Sequence, residues 1–82
     1  SQYAALAALR NGEPFVREMV AEYNRRRKLV VSALNEMGLA CYEPKGAFYA
    51  FPCVERTGLT GDEFAHRLLM EEKIAVVPGS AF

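Results

Sequence analysis

The stretch Pro14-Phe15-Val16-Arg17-Glu18-Met19-Val20-Ala21-Glu22-Tyr23-Asn24, continued by Arg25-Arg26-Arg27-Lys28-Leu29-Val30-Val31-Ser32-Ala33-Leu34-Asn35-Glu36-Met37, decides how this chain is built. Phe15, Val16, Met19, Val20 and Tyr23, then Val30, Val31, Leu34 and Met37, recur at helical spacing. Pro14 stands where a first-turn proline belongs, and Gly38 supplies the stop. The pattern predicts one helix from Pro14 to Met37, about 36 Å long at a rise of 1.5 Å per residue. A compact domain of 82 residues is only about 30 Å across. The helix overhangs its own domain. Its apolar stripe also breaks at Asn24 to Lys28, which predicts a strut between two lobes, one of them absent.

On the amino side, Tyr3 to Leu9 is rich in Ala and Leu and has almost no polar face. Such a segment is helical by propensity and, being apolar all round, is expected to be buried all round. Asn11-Gly12 reads as its stop, since both residues tolerate the left-handed cap. On the carboxyl side the period changes. Leu39-Ala40-Cys41-Tyr42 reads as a short strand, and Glu43-Pro44-Lys45-Gly46 has the composition of a type I turn. Ala47-Phe48-Tyr49-Ala50-Phe51 is a second, aromatic strand closed by Pro52. Thr57-Gly58-Leu59 is a loop, and Thr60 with Glu63 forms a capping box. The helix after it buries Phe64, Ala65, Leu68 and Leu69 and exposes His66, Arg67, Glu71 and Glu72. Ile74-Ala75-Val76-Val77 is a short buried strand ended by Pro78-Gly79. The apolar Phe82 with no polar tail reads as a cut. The predicted class is α+β: a long inter-domain helix plus a small lobe of short strands and a further helix.

Composition narrows the function classes. Ten Lys and Arg balance ten Asp and Glu, and 51% of the residues are hydrophobic, which excludes a disordered tail. Neutral net charge and a pI near 6.5 argue against a nucleic-acid binder. No apolar run approaches the length of a membrane span. The amino end has no secretory pattern, and two cysteines, Cys41 and Cys53, make a weak disulfide framework. A reduced, intracellular and cytoplasmic protein is expected. A chain this short buries only about 60% of its unfolded surface, so it is expected to be marginal unless it belongs to something larger.

The candidate chemistry is incomplete. Arg25-Arg26-Arg27-Lys28 is the only charge run, and four successive helical residues point four ways, so they form no flat phosphate-binding face. Glu22, four residues before Arg26, offers ordinary pairing along the helix. A solvated or inter-lobe face outweighs a nucleic-acid contact. His66 has no second ligand at metal spacing and reads as a surface helix residue. Cys41 and Cys53 lack a histidine partner and read as small hydrophobes. Lys45, on a turn, and Lys73, after Glu71-Glu72, lack the desolvated or cationic surroundings that deprotonate a Schiff-base lysine. Gly58, Gly61 and Gly79 lack phosphate-cradling spacing. No complete active site, metal site or cofactor site is expected.

Pro44-Lys45-Gly46-Ala47-Phe48-Tyr49-Ala50-Phe51-Pro52 resembles the small-domain segment of the class I/II, pyridoxal-phosphate-dependent aminotransferases, the aspartate aminotransferase superfamily of fold type I. Tyr23-x-x-Arg26-Arg27 resembles the family's long inter-domain helix, and Ile74 to Phe82 its strand and loop near the carboxyl end. Gln2 to Leu9 resembles the helix after the cofactor-lysine region. The resemblance covers essentially the whole chain. It implies the end of a large-domain helical region over 1–12, the inter-domain helix over 13–38, and a truncated small-domain lobe over 39–82.

The resemblance also implies an activity and what this chain lacks for it. The parent enzyme would move an amino group between an amino acid and a 2-oxo acid with pyridoxal 5'-phosphate, as a homodimer with a large domain missing here. The Schiff-base lysine and phosphate ligands would precede Ser1, and the arginine for the substrate carboxylate would follow Phe82. The fragment alone is expected to be inactive and to bind no cofactor. Gly46, Ala47 and Phe48 match the part of the pattern that approaches substrate, Phe48 being open between packing and substrate contact. Pro78 to Ala81 match a loop leading toward the carboxylate arginine. Two other readings stay open: a freestanding interaction module using Tyr3 to Leu9 and the long helix, and a nucleic-acid binder using Arg25 to Lys28.

Overall fold

The computed structural model describes all 82 residues. Helix α1 spans Gln2–Asn11 and α2 spans Glu13–Glu36, within a residue of the predicted long helix. A short helix α3 covers Gly61–Arg67. Irregular segments join them, with 3₁₀ turns at Glu55–Thr57 and Gly79–Ala81 and a π-helical turn at Leu68–Glu72 that extends α3. That wide turn ends on Lys73 in the left-handed conformation, at φ 61°.

The end of α2 shows how the sequence stops a helix. Gly38 sits at φ +84°, a conformation that costs an L side chain energy and glycine none. Its N–H donates to the Asn35 carbonyl at 3.0 Å, and the Leu39 N–H donates to the Leu34 carbonyl at 2.9 Å. This is the paired closure of a Schellman motif, which satisfies carbonyls the helix end would otherwise orphan. The start of α3 is as predicted. Thr60 Oγ1 accepts from the Glu63 N–H at 3.2 Å while Glu63 Oε2 accepts from the Thr60 N–H at 3.1 Å, the reciprocal capping box.

Gly12 corrects an expectation. It is right-handed, at φ −81° and ψ −12°, not a left-handed cap. Glycine is needed there for space: a Cβ would lie 2.4 Å from the Ala8 carbonyl oxygen. The closely spaced α1 and α2 meet at this point, and Pro14 opens α2 as predicted.

The three expected strands do not form, so the small-lobe part of the α+β assignment is corrected to helices and irregular chain. The β contact that exists is a single antiparallel bridge between Cys41 and Pro52, beside a 2.8 Å bond from the Cys53 N–H to the Ala40 carbonyl. Ala47, at φ 62°, turns the aromatic segment out of extended geometry, and Pro52 has no N–H to continue a ladder. The predicted type I turn over 43–46 closes no hydrogen bond; the chain bends over 45–48 instead. Residues 75–77 exchange no backbone hydrogen bond with any neighbour. β-propensity is present in these segments, but a strand exists only where a second strand supplies partners.

The shape is open. The radius of gyration is 16.8 Å and the extents are 49 × 26 × 21 Å, against roughly 12 Å for the radius of a compact domain of this length. The accessible surface is 7175 Å², whereas a compact monomer of this mass exposes about 4,900 Å². One residue, Cys41, is buried. The expectation that Tyr3 to Leu9 is buried on all sides is overturned: Tyr3 is 90% and Leu9 87% exposed, because α1 has α2 beside it but no element on its other faces. In α3 and the turn that extends it, Phe64, Ala65 and Leu68 are half-buried, while Leu69 stays exposed.

Candidate functional site

The segment leaving α2 is held by two side chains of that helix. Asn35 accepts from the Cys41 N–H at 3.1 Å and donates from Nδ2 to the Cys41 carbonyl at 3.0 Å. Arg27, two helical turns earlier, pairs through Nη1 with the Glu43 carboxylate and reaches the Pro44 carbonyl at 3.4 Å. After Pro44 the chain carries Gly46, Ala47 and Phe48 outward. All three are exposed, Phe48 at 84%. Nothing lies within 4 Å of a Cβ built on Gly46, and the left-handed Ala47 sets the direction in which Phe48 leaves the backbone. The structure therefore places these three residues together on one projecting loop.

Behind that loop lies an apolar groove of about 500 Å³ between the aromatic segment, α3 and the chain from Val76 to Phe82. Phe48, Tyr49, Phe82 and Phe51 form a continuous aromatic row along it, each successive pair of ring centroids 5.8 Å apart, within the favourable range for edge and tilted contacts. Gly79 lets the last turn close on this row, since a Cβ there would lie 3.1 Å from Phe51 Cζ. Ser80 Oγ donates to Asp62 Oδ1 at 2.7 Å and pins the same turn to the start of α3. No charged side chain lines the groove, so its lining can shape and desolvate what enters it. The aromatic run at 48–51 was visible in sequence. Its pairing with Phe82 was not, because nothing local links positions so far apart in the chain.

Of the other candidates, Cys53 departs from its reading as a small hydrophobe, since it is exposed. His66 is exposed on α3, and no group of three or more His, Cys, Asp or Glu side chains is arranged to hold a metal ion. Cys41 and Cys53 are both free thiols. Cys41 pairs with Pro52 and Cys53 with Ala40, one position out of step, and successive residues of an extended chain point to opposite faces. One thiol is buried and the other exposed. The basic run is partly neutralised, its three arginines sharing two carboxylates, Glu22 and Glu43. Arg25 and Arg26 both grip Glu22, at 2.8 and 2.7 Å. These hydrogen bonds, that of Arg25 foremost, pull the Glu22 carboxyl from its ordinary 4.5 down to about 2. No helix is long and apolar enough to cross a membrane.

Helix α2 thus hands off to a loop tethered back to it, with an aromatic groove behind the loop. The chain belongs to the aminotransferase class I and II family, whose family model matches residues 1–82. It is 60% identical over 83 residues to an aspartate aminotransferase of Pyrococcus abyssi, covering 99% of this chain. It is 52% identical over 82 residues to the putative aminotransferase YugH of Bacillus subtilis. The crystal structure of an aromatic aminotransferase from Pyrococcus horikoshii superposes with a TM-score of 0.90 at 55% identity, covering 98% of this chain and 22% of that one. The chain spans 21% of the length of the two curated relatives.

The family implies pyridoxal 5'-phosphate in a complete enzyme, and the residues of this chain do not fit that group. Lys28, Lys45 and Lys73 are all exposed. Lys73 Nζ donates to the Met70 carbonyl at 2.7 Å, so none of the three stands in the enclosed pocket that a Schiff-base lysine occupies.

Proposed function

We propose that this chain is the part of a pyridoxal-phosphate-dependent aminotransferase that walls the substrate from the small-domain side. In the complete enzyme it would help move an amino group between an amino acid and a 2-oxo acid. The observation that carries the reading is the family match along all 82 residues, with the Gly46-Ala47-Phe48 motif on an exposed, projecting loop. On this reading residues 1–12 end a large-domain helical region, 13–38 are the inter-domain helix and 39–82 belong to the small domain. The enzyme would be a cytoplasmic homodimer. About 2,300 Å² of surface in excess of a compact monomer supports the view that these faces are made to be covered by another domain.

The role of this segment is positional. Gly46 offers its backbone without a side chain in the way, and Phe48 offers an apolar face that excludes water when the lobe moves over the substrate, a gating contribution. The chemistry of amino transfer is left to residues outside these 82. The test is direct. Full-length protein supplied with pyridoxal 5'-phosphate, an amino-acid donor and a 2-oxo acid should transfer the amino group, and the 82-residue chain under the same conditions should not. Phe48→Ala in the full-length protein should raise KM for the donor about tenfold, equivalent to roughly 1.4 kcal/mol. Turnover by the short chain would overturn its dependence on the rest of the enzyme. A full-length product that transfers nothing but forms a discrete oligomer would favour the interaction module instead.

A further inference from the structure

Five ion pairs occur in the chain, and four of them join residues three or four positions apart on one helix. The fifth, Arg27 with Glu43, joins residues sixteen positions apart. Its guanidinium is the better held of the arginines: 26% of the side chain is exposed, and Nε and Nη2 both donate to Asn24 Oδ1, at 3.1 and 2.7 Å. Asn24 thus aims the remaining edge of the planar fork at Glu43 and the Pro44 carbonyl. Beyond Pro44, no hydrogen bond engages residues 45–51. Arg27 is the last polar tether before Gly46, Ala47 and Phe48.

We infer that Arg27 is a positioning residue, which, oriented by Asn24 and acting through Glu43 and Pro44, fixes the Gly46-Ala47-Phe48 loop to the long helix α2. The inference rests on the aminotransferase reading for its effect on substrate, but not for the tether itself. Because α2 is the element that bridges lobes, a loop tied to it moves with the helix and arrives over the substrate in one orientation. A loop held only at Cys41 by Asn35 would add Glu43 and Pro44 to the unbonded run 45–51 and have a longer lever.

The experiment uses the full-length protein with Arg27→Met, which keeps the apolar stem and removes the fork, Glu43→Ala, and the double variant. Two readouts are taken: steady-state amino transfer, and tryptic cutting at the exposed Lys45–Gly46 bond relative to Arg56–Thr57. Each single variant is expected to raise KM for the amino donor about tenfold, a misplacement effect, with a smaller change in kcat. Cutting at Lys45 is expected to quicken severalfold. The double variant should look like either single one, since both remove one contact. Arg27→Lys should recover part of the loss, because an ammonium reaches Glu43 but cannot hold Asn24 with two donors.

Unchanged KM together with unchanged cutting at Lys45 in folded variants would overturn the inference. If Arg27→Met does not fold, Glu43→Ala decides, since Glu43 is 63% exposed and its loss leaves only surface. A parent protein that transfers no amino group would overturn the aminotransferase reading, and the Lys45 cutting rates would still judge the tether separately.

Discussion

Helix α2 and the segments 39–52 and 74–77 carry equally plain sequence patterns, yet one formed as expected and the others did not. In α2 every interior N–H finds its carbonyl four residues back, so the element is complete with no help from the rest of the molecule. In the extended segments the same groups need a neighbouring strand, and within these 82 residues only Cys41–Pro52 finds one. Local pattern is therefore sufficient evidence for a helix and only permissive evidence for a strand.

The sharpest way to break that comparison is to put proline in each region. Ala21→Pro in the middle of α2 removes an i to i−4 bond and clashes with the preceding turn, costing about 3 kcal/mol. Circular dichroism at 222 nm should show the 82-residue chain losing a large share of its helical signal. Ala75→Pro has no ladder bond to remove in the same chain and should leave the signal nearly unchanged. In the full-length protein Ala75→Pro should become costly if 74–77 gains a partner there. An equally small loss in both would mean that this segment is never a strand.

A smaller effect is expected at the cap of α3. Thr60→Ala removes the acceptor for the Glu63 N–H and should lower the stability of the full-length protein by about 1 kcal/mol, read from the urea midpoint. Retained stability would mean that the packing of Phe64 and Leu68, not the capping box, fixes where α3 begins.

The mildest test concerns the self-sufficiency of α2. Hydrogen bonds from Arg25 and Arg26 depress the Glu22 pKa to about 2. A depressed carboxylate contributes its full share above its ordinary 4.5 and loses it as the pH falls toward the folded value. Helicity of the chain should therefore decline on acidification below pH 4.5, more gently in high salt, which screens exposed pairs. Glu22→Gln should lessen that decline; an identical acid titration in the variant would remove Glu22 as its source.

What could be read from the residues follows the same division. The bounds of α2, the Gly38 stop and the Thr60–Glu63 box are all settled within a few positions, and each was legible. Gly12 was assigned to the right place for the wrong reason: its need for glycine comes from the Ala8 carbonyl on a neighbouring turn, a steric fact that composition does not encode. The loop Gly46-Ala47-Phe48 could be singled out only through family resemblance. Its tether to Arg27 was missed because a pairing across sixteen positions leaves no periodic trace. The Arg25–Lys28 run was legible as residues pointing different ways, with Glu22 as a partner for Arg26, but that the fold gives Arg27 a different partner from its neighbours was not.

The wide turn at Leu68–Glu72 offers the chain a place to absorb a change in length. A π-helical turn holds one residue more than the α-helical turn it replaces. Deleting a single residue there would let the turn reclose as regular α-helix, while the same deletion inside α2 would swing everything downstream by about 100° around the axis. Leu68–Glu72 is thus the seam at which this lobe can lose a residue and still deliver Ile74 to Phe82 to the aromatic groove.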